Sequence, residues 1–342
     1  MQVIWAGIFS FLAVFLSTPV FRVLAVKLDI VDLPNRRSIH KRAMPLLGGV
    51  AIYFGIIAGL LLHLKELQFF FPILLGATII LIVGLIDDIW GLSAQSRIIA
   101  QLSVAAIIMV FGIRVSFLPD TIWGNTAEIA VTILWILGVT NAYNYLDGMD
   151  GLAVGSAAIN SFCFALILYS TGQFSQGLLA VIVSASCVGF LPYNFKKAKM
   201  FLGDAGSTLL GFILASISLI GNWAEDNMVK ISIPILILGV PIFDMIFTTI
   251  MRIKDKKIKT VVEWLKYAGK DHFHHCLVDL GLNTEGAVTF IYFITLSLGI
   301  SAIMVSNDSA VEGLLTLSQA SIIFGVIATL IVVGKRRRSG WN

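Results

Sequence analysis

The stretch FFFPILLGATIILIVGLIDDIWG (69–91) carries no charge from Phe69 to Ile86 and then sets two aspartates side by side. A spanning α-helix needs about 20 mostly apolar residues. The run therefore reads as a membrane helix. A carboxylate deep in a bilayer costs roughly 2.5–3.5 kcal/mol on insertion scales. Asp87 and Asp88 are tolerable at the end of such a span if something there offsets their desolvation.

The same pattern extends over the whole chain. Of 342 residues, 58% are hydrophobic and 13% charged, and the mean hydropathy is +0.92. A soluble domain averages about 25% charged residues. The composition excludes a soluble enzyme and a single anchor on a globular domain, and predicts an all-α polytopic membrane protein. Eleven spans are expected, at roughly 3–26, 47–64, 69–87, 96–114, 127–143, 151–171, 176–194, 205–221, 229–251, 285–305 and 312–334. The first run, MQVIWAGIFSFLAVF, has no basic leader and no cleavage site, so it reads as a span rather than a signal peptide. With the first loop inside, 21 of the 24 Lys and Arg residues fall on the inner side, and only Lys65, Arg114 and Lys230 fall outside. The positive-inside rule then sets the N-terminus outside and the C-terminus in the cytoplasm. No linker or inverted repeat divides the chain. The expectation is one membrane domain, 1–342, whose loops 27–46, 88–96, 141–151, 194–205 and 252–284 form a site on the cytoplasmic face. Cys163, Cys187 and Cys276 show no disulfide or zinc spacing and read as unpaired thiols.

Polar residues gather on that face. In NAYNYLDGMDG (141–151), Asn141, Asn144, Asp147 and Asp150 recur every three residues. On a helix such neighbours share an edge that drifts by about 60° per step. Gly148 and Gly151 allow a turn or a close approach; a cap and turn between two helices is the alternative reading, but four polar groups at constant spacing exceed what a turn needs. Asp204, in FLGDAGS, reads either as an N-cap or as part of a metal site with Asp87, Asp88, Asn144, Asp147 and Asp150. These are hard oxygen donors, suited to Mg²⁺ or Mn²⁺. His272, His274 and His275, in DHFHHC, read as a polar loop that grips a phosphate or sugar; adjacent histidines do not make a zinc pair on one helix face. Asp244, in PIFDMIF, lies inside a span, where a carboxylate is either functional or a contact between packed helices. The chain has no P-loop and no GxGxxG. A cation transporter remains an alternative; it would place carboxylates near the bilayer midplane, which only Asp244 approaches.

Taken together, LPNRRSIHKRAMPLLGG (33–49), GLIDDIWGLSAQSRIIAQ (84–101), TNAYNYLDGMDGLA (140–153), PYNFKKAKMFLGDAGS (192–207), PIFD (241–244) and HFHH (272–275) resemble the polyprenyl-phosphate N-acetylhexosamine-1-phosphate transferases, in their order. The His-Phe-His-His loop and the Met44-Pro45-Leu46-Leu47-Gly48-Gly49 segment look like the N-acetylglucosamine branch rather than the phospho-N-acetylmuramoyl-pentapeptide branch, which is the nearer alternative.

The resemblance implies an enzyme of the bacterial cytoplasmic membrane. It would transfer N-acetylglucosamine-1-phosphate from UDP-N-acetylglucosamine to undecaprenyl phosphate and release UMP, as the first membrane step of a teichoic-acid or O-antigen type polymer. It implies Mg²⁺, with Mn²⁺ as substitute, held by Asn144 and Asp204. Asp87 and Asp88 would face the lipid phosphate or the metal's water shell, one of them as a base. Lys41, Asp147, Asp150, Asn194 and Phe201 would form the nucleotide pocket, His272, His274 and His275 would contact sugar or diphosphate, and Arg97 and Lys199 would contact phosphate. The partners are the two substrates and membrane lipids, with a homodimer admitted and no nucleic acid.

Overall fold

The computed structural model describes residues 2–34, 43–260, 263–264, 267, 269, 271–306 and 309–339. The chain divides into two compact units, Met1–Gly221 and Asn222–Asn342. The first holds α1 (Gln2–Lys27), β1 (Val31–Asp32), β2 (Met44–Pro45), α2 (Gly48–Leu61), α3 (Leu64–Phe69), α4 (Phe71–Trp90), α5 (Ala94–Val110), α6 (Ile122–Leu146), α7 (Leu152–Ser170), α8 (Phe174–Asn194) and α9 (Gly203–Ile220). The second holds α10 (Asn227–Ile237), α11 (Gly239–Lys254), α12 (Phe273–Asp279), α13 (Thr284–Val305) and α14 (Ala310–Ser339). The strands are a two-residue antiparallel ribbon pairing Val31 with Pro45 and Asp32 with Met44. It ties the two ends of the first loop together. Several helices start where sequence rules place them. Ser93 and Thr121 accept from the backbone of Ser96 and Gly124 to cap α5 and α6.

The protein is a multi-pass membrane protein. Among the described residues, α1, α4, α6, α7, α8, α9, α13 and α14 are long and apolar enough to cross a membrane. Many large apolar side chains lie on the surface: Val110 is 84% exposed and Trp123 85%. Water would penalise such a belt and lipid does not. Three of the eleven expected spans come out differently. Those expected at 47–64 and 96–114 are the shorter helices α2, of 14 residues, and α5, of 17. At about 1.5 Å per residue both fall short of a 30 Å hydrocarbon core. The one expected at 229–251 is broken, with α10 and α11 meeting at 77°. Pro241 explains the break, because it has no N–H for the carbonyl four residues earlier and its ring clashes there.

The centre of the first unit is α9. Every residue from Ala205 to Ser218 is buried, and the helix packs against α2, α4, α6, α7 and α8. Small residues let the backbones meet. A Cβ at Gly84 of α4 would lie 2.3 Å from Ala205 Cα, and one at Gly49 of α2 would lie 2.4 Å from Gly206 Cα. This close small-residue crossing suits helices that gain nothing hydrophobic from association in lipid. It brings the ends of α4 and α2 against the start of α9. Cys163, Cys187 and Cys276 are buried, and none forms a disulfide among the described residues.

Candidate active site

A helix start leaves backbone N–H groups without intrahelical partners. The residue before α9, Leu202, has no side chain to cap them. Asp88, from the last turn of α4, does so from outside: it accepts from Asp204 N at 2.8 Å and Ala205 N at 3.1 Å. The positive end of the α9 dipole also faces this carboxylate. Gly203 makes the approach possible. Its φ is +76°, and a Cβ there would lie 2.5 Å from Asp88 Oδ2. The alternative that Asp204 is the N-cap is not what forms; Asp204 sits one residue inside the helix and projects its carboxylate beside Asp87.

Asp87 Oδ1 accepts from Leu92 N at 2.6 Å. Its Oδ2 lies 3.2 Å from Arg97 Nη1, an ion pair without hydrogen-bond alignment. The same Nη1 is 3.8 Å from Asp204 Oδ2. Asn144 Nδ2 donates to Asp204 Oδ1 at 2.7 Å and to Ser207 Oγ at 3.0 Å. Asp87, Asp88, Arg97, Asn144 and Asp204 are thus one cluster, drawn from α4, α5, α6 and α9.

The three-residue row does not run along one helix. Asn141 and Asn144 are helical, α6 stops at Leu146, and Asp147 and Asp150 lie in the turn that follows. Gly151 starts α7 from φ +79°. Asn141 does not join the cluster. Its Nδ2 donates to Gln101 Oε1 at 2.7 Å. Sequence reasoning passed over Gln101. Its signal was an amide inside an apolar helix, one turn beyond Arg97. The Gln101–Asn141 bond fixes α5 on α6, and so Arg97 relative to Asn144.

Asp150 and Asn194 hold loops. Asp150 Oδ2 accepts from Ala198 N at 2.8 Å, and Asn194 bridges Gly151 N (3.1 Å) and Met200 O (3.0 Å). The segment they tie down reaches the first loop, where Phe201 N donates to Pro45 O at 2.8 Å and Gly49 N to Leu202 O at 3.1 Å. Phe201 is half-buried and Lys199 exposed. Lys41 lies outside the described residues.

Burial pushes the Asp147 carboxyl up to about 8, and the negative charges of Asp204, Asp88 and Asp150 add to the rise. Asp87, Asp88 and Asp204 set three carboxyl groups around one guanidinium, an excess of acidic groups over basic ones. No group of three or more His, Cys, Asp or Glu among the described residues forms a closed metal cage. Magnesium does not need one, since it takes one or two carboxylates and keeps its waters. The hard oxygen donors and the excess of acidic groups fit that ion.

The second unit holds the histidines. His272, His274 and His275 are not a loop: His272 precedes α12 and the other two lie on it. Asp244 is fully buried; it accepts from Phe273 N at 2.6 Å and Thr248 Oγ1 at 3.1 Å, and lies 3.0 Å from His272 Nδ1. Arg252, in the last turn of α11, is 2% exposed. It forks onto Asp271 through Nη2 (2.7 Å) and Nε (3.1 Å). Burial works against the Asp271 charge, yet its hydrogen bonds and Coulomb attraction to Arg252 hold the carboxyl below the usual range.

His274 is 1% exposed, and neither ring nitrogen has a partner among the described residues. Burial pushes its imidazole down to about 3, with the charges of His275 and His272 reinforcing this and Asp244 opposing it. The unfolded chain takes up this proton below about 6.5, while the folded chain does not until about 3. Stability is therefore full above pH 6.5 and is lost as pH falls toward 3, at up to about 1.4 kcal/mol per pH unit. Thermal unfolding of wild type and His274→Phe should diverge between pH 7 and 5, with wild type falling faster. Parallel curves would contradict a neutral buried His274.

A family model for glycosyl transferase family 4 matches residues 70–222. A Bacillus subtilis protein named probable undecaprenyl-phosphate N-acetylglucosaminyl 1-phosphate transferase is 38% identical over 90% of this chain and 86% of its own length. A Thermotoga maritima undecaprenyl-phosphate alpha-N-acetylglucosaminyl 1-phosphate transferase is 32% identical over 74% of this chain and 75% of its own. A Mycobacterium leprae decaprenyl-phosphate N-acetylglucosaminephosphotransferase is 29% identical over 84% and 79%.

Proposed function

Because the chain belongs to glycosyl transferase family 4, among the undecaprenyl-phosphate N-acetylglucosamine-1-phosphate transferases, we propose that it moves N-acetylglucosamine-1-phosphate from UDP-N-acetylglucosamine to undecaprenyl phosphate at the cytoplasmic face of the bacterial inner membrane. The observation that carries this reading is the Asp87–Asp88–Arg97–Asn144–Asp204 cluster at the start of α9. The positive-inside count supports eleven crossings and an inward-facing site, and the HFHH motif supports the N-acetylglucosamine donor.

An oxygen of the lipid phosphate attacks the sugar-linked β-phosphorus, the bond to the α-phosphate bridging oxygen breaks, and UMP leaves. Asn144 and Asp204, already in contact, would hold Mg²⁺, which when bound neutralises the diphosphate. Asp88 spends both oxygens on the α9 backbone, so its part is to fix Asp204. Asp87 steers Arg97, whose guanidinium, 35% exposed, is free to turn toward incoming phosphate. A phosphate monoester's second pKa is about 6. The nucleophile is already ionised near neutrality, and orientation matters more than proton removal. Phe201 offers a face for uracil, Asp150 and Asn194 shape the loop beneath it, and Lys41 and Lys199 add positive charge for the phosphates.

Purified protein with undecaprenyl phosphate, Mg²⁺ and UDP-N-acetylglucosamine should release UMP, and EDTA should stop it. UMP only from UDP-N-acetylmuramoyl-pentapeptide would move the protein to the peptidoglycan branch. UMP from neither donor would overturn the reading.

A further inference from the structure

His272 has both ring nitrogens committed to protein, whereas His274 has neither. Nδ1 lies 3.0 Å from Asp244 Oδ2, and Nε2 lies 3.1 Å from Arg252 Nη2. A guanidinium has donors only, so the nitrogen facing it must accept. A protonated Nε2 would set N–H against N–H. The imidazole is therefore neutral, with its proton on Nδ1 and donated to Asp244. Arg252 is itself fixed, forked onto Asp271 and stacked 4.6 Å from the Tyr267 ring centre. Asp244 also takes the N–H of Phe273. One buried carboxylate thus holds both the ring and the backbone at the start of α12, which carries His274 and His275.

We propose that Asp244, Arg252 and Asp271 form a positioning relay that locks His272 as a neutral imidazole protonated on Nδ1, so that His272 aims the helix bearing His274 and His275 and does not itself bind substrate. The claim rests on the proposed transfer only for its consequence in the reaction; the tautomer stands on the geometry alone. His274, buried with both nitrogens unpartnered, is the imidazole left for a ligand. Arg252 acts through His272 and Asp271, although its charge alone would suggest a phosphate contact.

The test is ¹⁵N NMR of ring-labelled histidine in the full-length protein in detergent at neutral pH, with no substrate. The His272 signals are identified by their loss in His272→Asn, whose side-chain N–H keeps the donation to Asp244. The expected spectrum is one protonated nitrogen, Nδ1, and one bare nitrogen, Nε2. An imidazolium or an Nε2–H tautomer overturns the proposal, and this result needs no other variant to fold. In Arg252→Met the acceptor role at Nε2 is gone while Asp244 remains. The bare Nε2 signal of His272 should then move, having lost its donor, with kcat falling about tenfold or more and the donor KM staying within about threefold. An unchanged spectrum, or a loss confined to KM, would make Arg252 a substrate ligand and end the relay. Because the spectrum is recorded without substrate, failure of UMP release removes the proposed function and leaves the relay standing, while a wrong tautomer does the reverse.

Discussion

Asp204→Ala is expected to lower UMP release by about 10³-fold or more while the protein remains folded. The two halves of this expectation have separate causes. In the proposed reaction, Asp204 supplies the carboxylate next to Asn144 and within 3.8 Å of Arg97, where negative phosphates must be gathered. Losing it removes a metal oxygen and the second of the two carboxylates that face Arg97. Folding depends on it less. Asn144 keeps its bond to Ser207 Oγ, Arg97 keeps Asp87, and Asp88 still caps the α9 backbone. The lost charge at a helix start costs about 0.3–1 kcal/mol. Activity in detergent and the thermal midpoint, measured on one preparation, check both halves. Activity within tenfold of wild type would remove Asp204 from the chemistry. A lost fold would make it a structural residue.

Gly84→Ala is expected to lower activity by about 10²-fold and to destabilise the protein by roughly 1–3 kcal/mol. Helix propensity alone predicts the opposite sign, since alanine gains about 1 kcal/mol over glycine inside a helix. Packing outweighs it here. The new methyl would lie 2.3 Å from Ala205 Cα, 2.7 Å from Ala205 N and 3.1 Å from the Asp204 carbonyl carbon. All three are backbone atoms, which have no rotamer to yield. The start of α9 must therefore move away from α4. That shift separates Asp204 from Asp87 and loosens the two bonds by which Asp88 caps the helix. The same change at Gly91, where a Cβ meets nothing within 4 Å, serves as a control for packing, with only its φ of +69° to strain the backbone. A thermal midpoint at or above wild type for Gly84→Ala would contradict the tight crossing.

The sequence by itself determined that the chain spans a membrane, and which residue types carry its chemistry. Both are local properties: a run of apolar side chains is legible without knowing its neighbours, and so is a carboxylate or amide placed beside such a run. The aspartate pair, Asn144, Arg97 and Asp204 were all legible in this way. The tertiary structure decided what each does. Asp87 and Asp88 are adjacent and chemically identical, yet one faces a guanidinium and the other caps a helix more than 100 residues away in sequence. Sequence spacing predicted a four-residue polar row, but a helix end at Leu146 divided it. Gln101 and Arg252 looked ordinary, because an amide or a guanidinium acquires its role only from the partner it meets when buried. Pro241 was legible in the sequence, but the 77° bend at it was seen only in the folded chain. Hydrophobic patterning depends on the chain's own period. Hydrogen-bond partnership, tautomer and close helix approach depend on groups brought together from distant positions, and only the folded chain brings them together.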